Sequence, residues 1–114
     1  MKSFLENSMN ATLMTLACMV FFMACVPQLA AQQGADDLYN HKCAICHGKD
    51  GLGNTAKGKK VQVKDVHANM KDSRDDMVKV VTDGKGDNMD SYKGELTSKQ
   101  IQDIVDYYRS LGQK

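Results

Sequence analysis

Cys43-Ala44-Ile45-Cys46-His47 sets two thiols three positions apart, with an imidazole directly after the second. C-x-x-C-H is the attachment pattern of c-type haem. On one helical turn each thiol can form a thioether with one vinyl group of the porphyrin. The adjacent imidazole then lies under the iron as its proximal ligand. Other chemistries use parts of this pattern. A disulfide oxidoreductase carries C-x-x-C in a thioredoxin-like βαβ context, and no run of strands surrounds it here. A structural zinc site needs four ligands, and past the N-terminal segment only His41 and His67 are available to join these three. A structural disulfide leaves His47 without a role.

Composition asks for the same group. Of 15 basic and 14 acidic residues, only Lys2 and Glu6 fall in the first 31, so the remainder carries a net charge of +1. That balance excludes a nucleic-acid reader driven by bulk positive charge. After residue 31 there is no Trp, Phe or Pro, and Leu, Ile and Val are sparse. A small domain with so thin a core needs a staple, and a buried porphyrin supplies one.

Three helices are expected to position the motif. Thr97-Ser98-Lys99-Gln100 fits a capping box, with Leu96 and Ile101 as a hydrophobic staple. Ile101, Ile104, Val105, Tyr108 and Leu111 then recur at helical spacing until Gly112. A second helix is expected from Ser73, with Asp76 as its capping partner, to Gly84; Met77, Val80 and Val81 form its apolar side. A third spans 35–47, opened by Asp36 and Asp37 and closed by Gly48. The long stretches 48–72 and 83–96 read as loops draped over a site, and the alternation Val61-Gln62-Val63 is too short to make a strand. The fold expected is all-α.

Residues 11–26 form an uncharged apolar run, followed by Pro27 and small residues up to Ala31. A short apolar core followed by small residues reads as a secretory signal, residues 1–31, with the folded domain over 32–114. The alternatives are a retained membrane anchor, for which the run is at the lower length limit, and lipidation at Cys25 or Cys18. Each reading exports the domain, to a periplasmic or external compartment, and only a retained segment puts it at a membrane.

Residues 39–51, YNHKCAICHGKDG, resemble the haem-binding start of the small monohaem class I cytochromes c. The tail from Gly94 through Ile104, Tyr107, Tyr108 and Leu111 is similar to that family's closing helix. The resemblance implies an all-α fold of three to four helices and long loops enclosing one covalently bound haem c, with Cys43, Cys46 and His47 attached to it. It implies that Tyr39 packs near the crossing of first and last helices, against Ile104 and Tyr107. It also implies a methionine as sixth ligand, in a Gly-rich loop before the last helix. Met89 in Gly84-Lys85-Gly86-Asp87-Asn88-Met89-Asp90 takes that place, with His67 as the alternative. Asp90 stands where the family often has a stiffening proline. Met77 belongs to the apolar side of its helix, Met70 is left open, and His41 is expected at the surface. No proline follows the motif to orient His47 through its carbonyl, so a carbonyl from 54–60 is expected to do so.

A haem iron held by His47 and Met89 has no open position, so the expected activity is electron transfer by a monomer, without enzyme chemistry, between exported or membrane redox proteins in transient contacts. Lys57, Lys59, Lys60 and Lys64 make a basic run; Asp72, Asp75, Asp76, Asp83, Asp87 and Asp90 make an acidic one. Both read first as solvated surface; on different faces they would orient docking. The alternatives are a haem-based gas sensor or peroxidase-like domain with an open sixth position, and a module feeding electrons into a larger membrane enzyme.

Overall fold

The computed structural model describes residues 33–114. The expected signal segment, residues 1–31, lies outside them. The described residues form six helices: α1 Ala35–Lys42, α2 Ala44–His47, α3 Ala56–Lys60, α4 Val66–Asn69, α5 Arg74–Asp83 and α6 Ser98–Leu111. No β-strand occurs among them, which removes the thioredoxin-like alternative.

Helix α6 begins as its sequence dictates. The Thr97 hydroxyl accepts from the Gln100 N–H, and the Gln100 side chain accepts from the Thr97 N–H, so two otherwise orphaned donors are satisfied reciprocally. Its buried stripe of Ile101, Ile104, Val105, Tyr108 and Leu111 is the floor of the core. Helices α1, α4 and α5 all pack on it. Ser73 caps α5 by accepting from Asp76 N–H. Tyr39, 1% exposed, is wedged between α1 and α6, with its ring centroid 5.2 Å from that of Tyr107 and 6.1 Å from that of Tyr108. Val66, fully buried, fills the gap that α4 covers.

The structure departs from the sequence reading in two places. The helix expected over 35–47 is broken at Cys43 into α1 and α2. In an uninterrupted helix the Cys46 N–H would bond to the Lys42 carbonyl. It bonds instead to Cys43 O at 3.1 Å, a tighter 3₁₀-type turn, and Lys42 O accepts the hydroxyl of Tyr92 at 3.1 Å. The stretch 48–72 is also more ordered than expected, because α3 and α4 lie within it. Each has only four or five residues, too few for apolar periodicity to show, and each rests on its cap: Thr55 accepting from Gly58 N–H, Asp65 from His67 N–H. The Val61-Gln62-Val63 alternation is the unwinding end of α3, where Gln62 has a φ of 57° and Val63 N–H bonds back to Gly58 O.

Candidate functional site

All six helices and the loops between them border a cavity of about 470 Å³. This lies within the range of pockets that bury small-molecule ligands. Cys43, Cys46 and His47 lie on its wall, as does Met89 from the 84–97 connection. Met77, Val80 and Val81 of α5 and Ile104 and Val105 of α6 give the wall an apolar side. Lys57 and Lys64 from the basic run, and Asp76, Asp87 and Asp90 from the acidic one, also border it.

The motif is held from behind. The Thr55 hydroxyl donates to Ile45 O at 2.7 Å and Cys46 O at 3.0 Å while accepting from Gly58 N–H at 2.8 Å. A Cβ on Gly58 would lie 2.2 Å from Cys46 O and 2.6 Å from Gly53 O. Only hydrogen fits there. Past the motif, the buried Tyr39 hydroxyl donates to Gly48 O at 2.7 Å. Both thiols are unpaired and Cys43 is buried, which pushes its pKa up to about 11 and disfavours the thiolate. Burial likewise pushes the His47 pKa down, favouring the neutral imidazole, the form that binds a metal. The Tyr108 ring meets the His47 ring edge-on at 5.2 Å, and the Tyr108 hydroxyl accepts from Asn69 Nδ2 at 2.9 Å.

The carbonyl expected from 54–60 for His47 is not found. His47 Nδ1 is buried without a hydrogen-bond partner. The segment instead spends its contacts on Cys46 O, through Thr55 and Gly58. The contact that usually orients a ligating imidazole through its other ring N–H is therefore absent at His47.

Met89 sits on a loop that is stiffened without proline. Lys85 N–H bonds to Met89 O at 2.8 Å and Asn88 N–H to Lys85 O at 3.2 Å, which closes a tight turn. The Ser91 hydroxyl donates to Thr82 O at 2.7 Å, Tyr92 N–H to Val81 O and Lys93 N–H to Thr82 O, both at 3.1 Å, which staple the far side of the loop to α5. Gly84 makes the entrance possible. Its φ is 78°, and a Cβ there would lie 2.8 Å from both Met89 O and Ser91 N.

His67 does not reach the cavity. It is exposed, and its Nδ1 is 2.7 Å from Asp65 Oδ1. His41 is exposed, as expected. Met70 packs beside Gly112. Met77 is buried in the core, as its spacing implied, and its sulfur also lies 3.6 Å from Arg109 Nη1. Among the described residues no three His, Cys, Asp or Glu side chains converge as a metal-binding group, which leaves the zinc alternative without a site. Tyr92, Asn69 and Tyr108 reach the cavity wall with no motif to announce them.

Residues 30–107 match the family described as cytochrome c oxidase, cbb3-type, subunit III. The chain is 35% identical over 77 residues to a cytochrome c6 of Leptolyngbya boryana, covering 68% of this chain and 88% of the relative. It is 32% identical over 79 residues to a cytochrome c6-like protein of Nostoc sp., covering 69% of each. The solved structure of the c-type cytochrome KustC0563 shares the fold, with a TM-score of 0.64 and 23% identity over 68% of this chain and 96% of that one.

Proposed function

The chain belongs to the cytochrome c family as a small monohaem class I member carrying covalently bound haem c, and from that premise we propose which of its residues make it an electron carrier. Cys43 and Cys46 form the two thioethers, His47 is the proximal ligand, and Met89 is the sixth ligand. The observation that carries this reading is that these four side chains, from two segments distant in sequence, line one cavity while His67 turns away to Asp65.

Haem c, when bound, supplies an Fe(III)/Fe(II) couple. The chain's own residues decide how it is used. The apolar wall from α5 and α6 excludes water and so disfavours the more highly charged ferric state. Thr55 and Gly58 fix the turn that carries Cys46 and His47. The stapled loop holds Met89 in place. With His47 and Met89 both holding the iron, no site would be left for a substrate. The work is outer-sphere electron transfer with redox proteins, in small transient contacts. Lysines and aspartates on the cavity border supply the charges such contacts use. Residues 1–31 act as an export signal or anchor, with the domain over 32–114 outside the cytoplasm as a monomer. Among the described residues no helix is long and apolar enough to cross a membrane.

The experiment is expression in a haem-maturing host, with haem staining after denaturing electrophoresis. The wild-type chain is expected to keep one haem on the polypeptide. The Cys43→Ala/Cys46→Ala variant should keep none and should fail to fold cooperatively, since its apolar area does not balance its chain entropy. A variant that is haem-free yet cooperatively folded overturns the structural part of this reading. Haem that extracts freely from the wild type overturns the attachment.

A further inference from the structure

The hydrogen bond between Tyr92 and Lys42 joins two parts of the molecule that the backbone keeps 50 residues apart. Tyr92 is three residues past Met89, on the loop stapled to α5. Lys42 is the residue before Cys43, at the end of α1. Its carbonyl is free to accept because the helix breaks there: Cys46 N–H has moved to Cys43 O. The released carbonyl would otherwise be a part-buried acceptor without a partner, and the Tyr92 hydroxyl takes it. The ring of Tyr92 lies on the cavity wall. Two further bonds, Glu95 N–H and Leu96 N–H to Tyr92 O at 3.1 and 3.0 Å, fix its backbone to the start of α6. Lys42 and Glu95 also form an ion pair, but both side chains are well solvated, and pairs of that kind contribute little. The hydroxyl is the stronger tie.

We infer that Tyr92 is a positioning residue for Met89: its hydroxyl, held by the Lys42 carbonyl, latches the loop carrying Met89 to the segment carrying Cys43 and sets how readily Met89 leaves the iron. This rests on Met89 being the sixth ligand. The α5 staples hold the loop to its own preceding helix and would travel with α5. Only Tyr92 and Glu95 tie the loop to the end of α1 beside the motif. Burial pushes the Tyr92 pKa up to about 12, so the hydroxyl remains a donor across the working range of pH.

The test is the binding of cyanide to the ferric holoprotein by stopped flow, at cyanide concentrations where the rate saturates and reports departure of Met89. Tyr92→Phe removes the hydroxyl and keeps the ring. It is expected to raise the limiting rate about three- to tenfold, the factor that one lost hydrogen bond represents, while the ferric Fe–S(Met) absorption band remains. Ile101→Val is the control for general loosening, because Ile101 is buried in the core and off the cavity wall; it should lower the unfolding midpoint with the limiting rate unchanged. A Tyr92→Phe rate within twofold of wild type, or an equal acceleration in Ile101→Val, overturns the latch. A wild-type protein without the Fe–S(Met) band overturns the assignment of Met89 itself, and the latch with it.

Discussion

The Tyr39 hydroxyl reaches from the middle of α1 to the carbonyl of Gly48, 2.7 Å away, and closes the chain on itself just after the motif ends. The bond is buried, and its donor ring is the one that α1 and α6 clamp between them. The packing of the two longest-range helices and the path of the chain leaving His47 are therefore set by one side chain. Removing only the oxygen tests that coupling. Tyr39→Phe leaves the Gly48 carbonyl buried without its donor, which costs about 1–2 kcal/mol. Urea unfolding of the holoprotein should show a midpoint lowered accordingly with an unchanged slope. An unchanged midpoint would mean that Gly48 O has found water.

Gly58 makes a second prediction about the same turn. A methyl group there would sit 2.2 Å from Cys46 O and 2.6 Å from Gly53 O, both backbone atoms that cannot swing aside. Gly58→Ala should therefore cost about 2–3 kcal/mol, at the upper end of overpacking penalties. Because the strain falls on the Cys46 carbonyl, haem incorporation during expression should fall as well. Thermal unfolding of whatever holoprotein forms gives the number. A variant as stable as wild type would show that α3 can back away from the motif.

Much of this architecture was legible in the residues. The capping box at Thr97 and Gln100 and the apolar stripe behind it placed α6 to the residue, because a long amphipathic helix repeats its signal over several turns. Ser73 and Gly84 bounded α5 for the same reason. The C-x-x-C-H motif found the cavity, since its chemistry needs contiguous residues. What escaped was set by contacts distant in sequence. Nothing around Cys43 announces a break, and the Lys42 carbonyl that the break frees is taken by a hydroxyl 50 residues further on. Nor did His67 reveal that it would turn to Asp65, a choice made by the cap of a helix only four residues long. The orientation of His47 was misjudged because the segment 54–60 does approach the motif, but with Thr55 Oγ1 and the bare face of Gly58 directed at Cys46 O.

An ion pair between α5 and α6 gives a prediction in pH. Arg74 donates Nε–H to Asp106 Oδ1 at 2.6 Å and Nη2–H to Oδ2 at 2.8 Å, a two-pronged contact. The hydrogen bonds from Arg74 hold the Asp106 pKa below the ordinary carboxylate value. A carboxylate depressed in the folded state adds stability above its unfolded pKa of about 3.9 and loses it as pH falls through the folded value. Asp106→Asn should thus be less stable than wild type at neutral pH, and the gap should close as the pH drops below about 4. Unfolding midpoints for the two proteins across that range decide it. A gap independent of pH would assign the effect to helix packing and not to charge.

The sharpest prediction concerns Met89. Met89→Ala leaves Cys43 and Cys46 untouched, so haem should remain attached. The iron would lose the thioether sulfur proposed as its sixth ligand, a donor that raises the potential of cytochromes c. The variant's potential should therefore fall. Among nitrogen donors, Lys85 can substitute, because it borders the cavity on the same loop, whereas His67 is engaged with Asp65. Carbon monoxide should bind the reduced variant quickly and the reduced wild type slowly, since in wild type it must first displace Met89. The measurement is flash photolysis or stopped-flow mixing with carbon monoxide, paired with a redox titration. Equal carbon monoxide rates in the two proteins would remove Met89 from the iron, and with it the reason for reading the site as closed to substrates. A raised rate with a lowered potential places the sulfur on the iron and leaves electron transfer as the chemistry that the closed site permits.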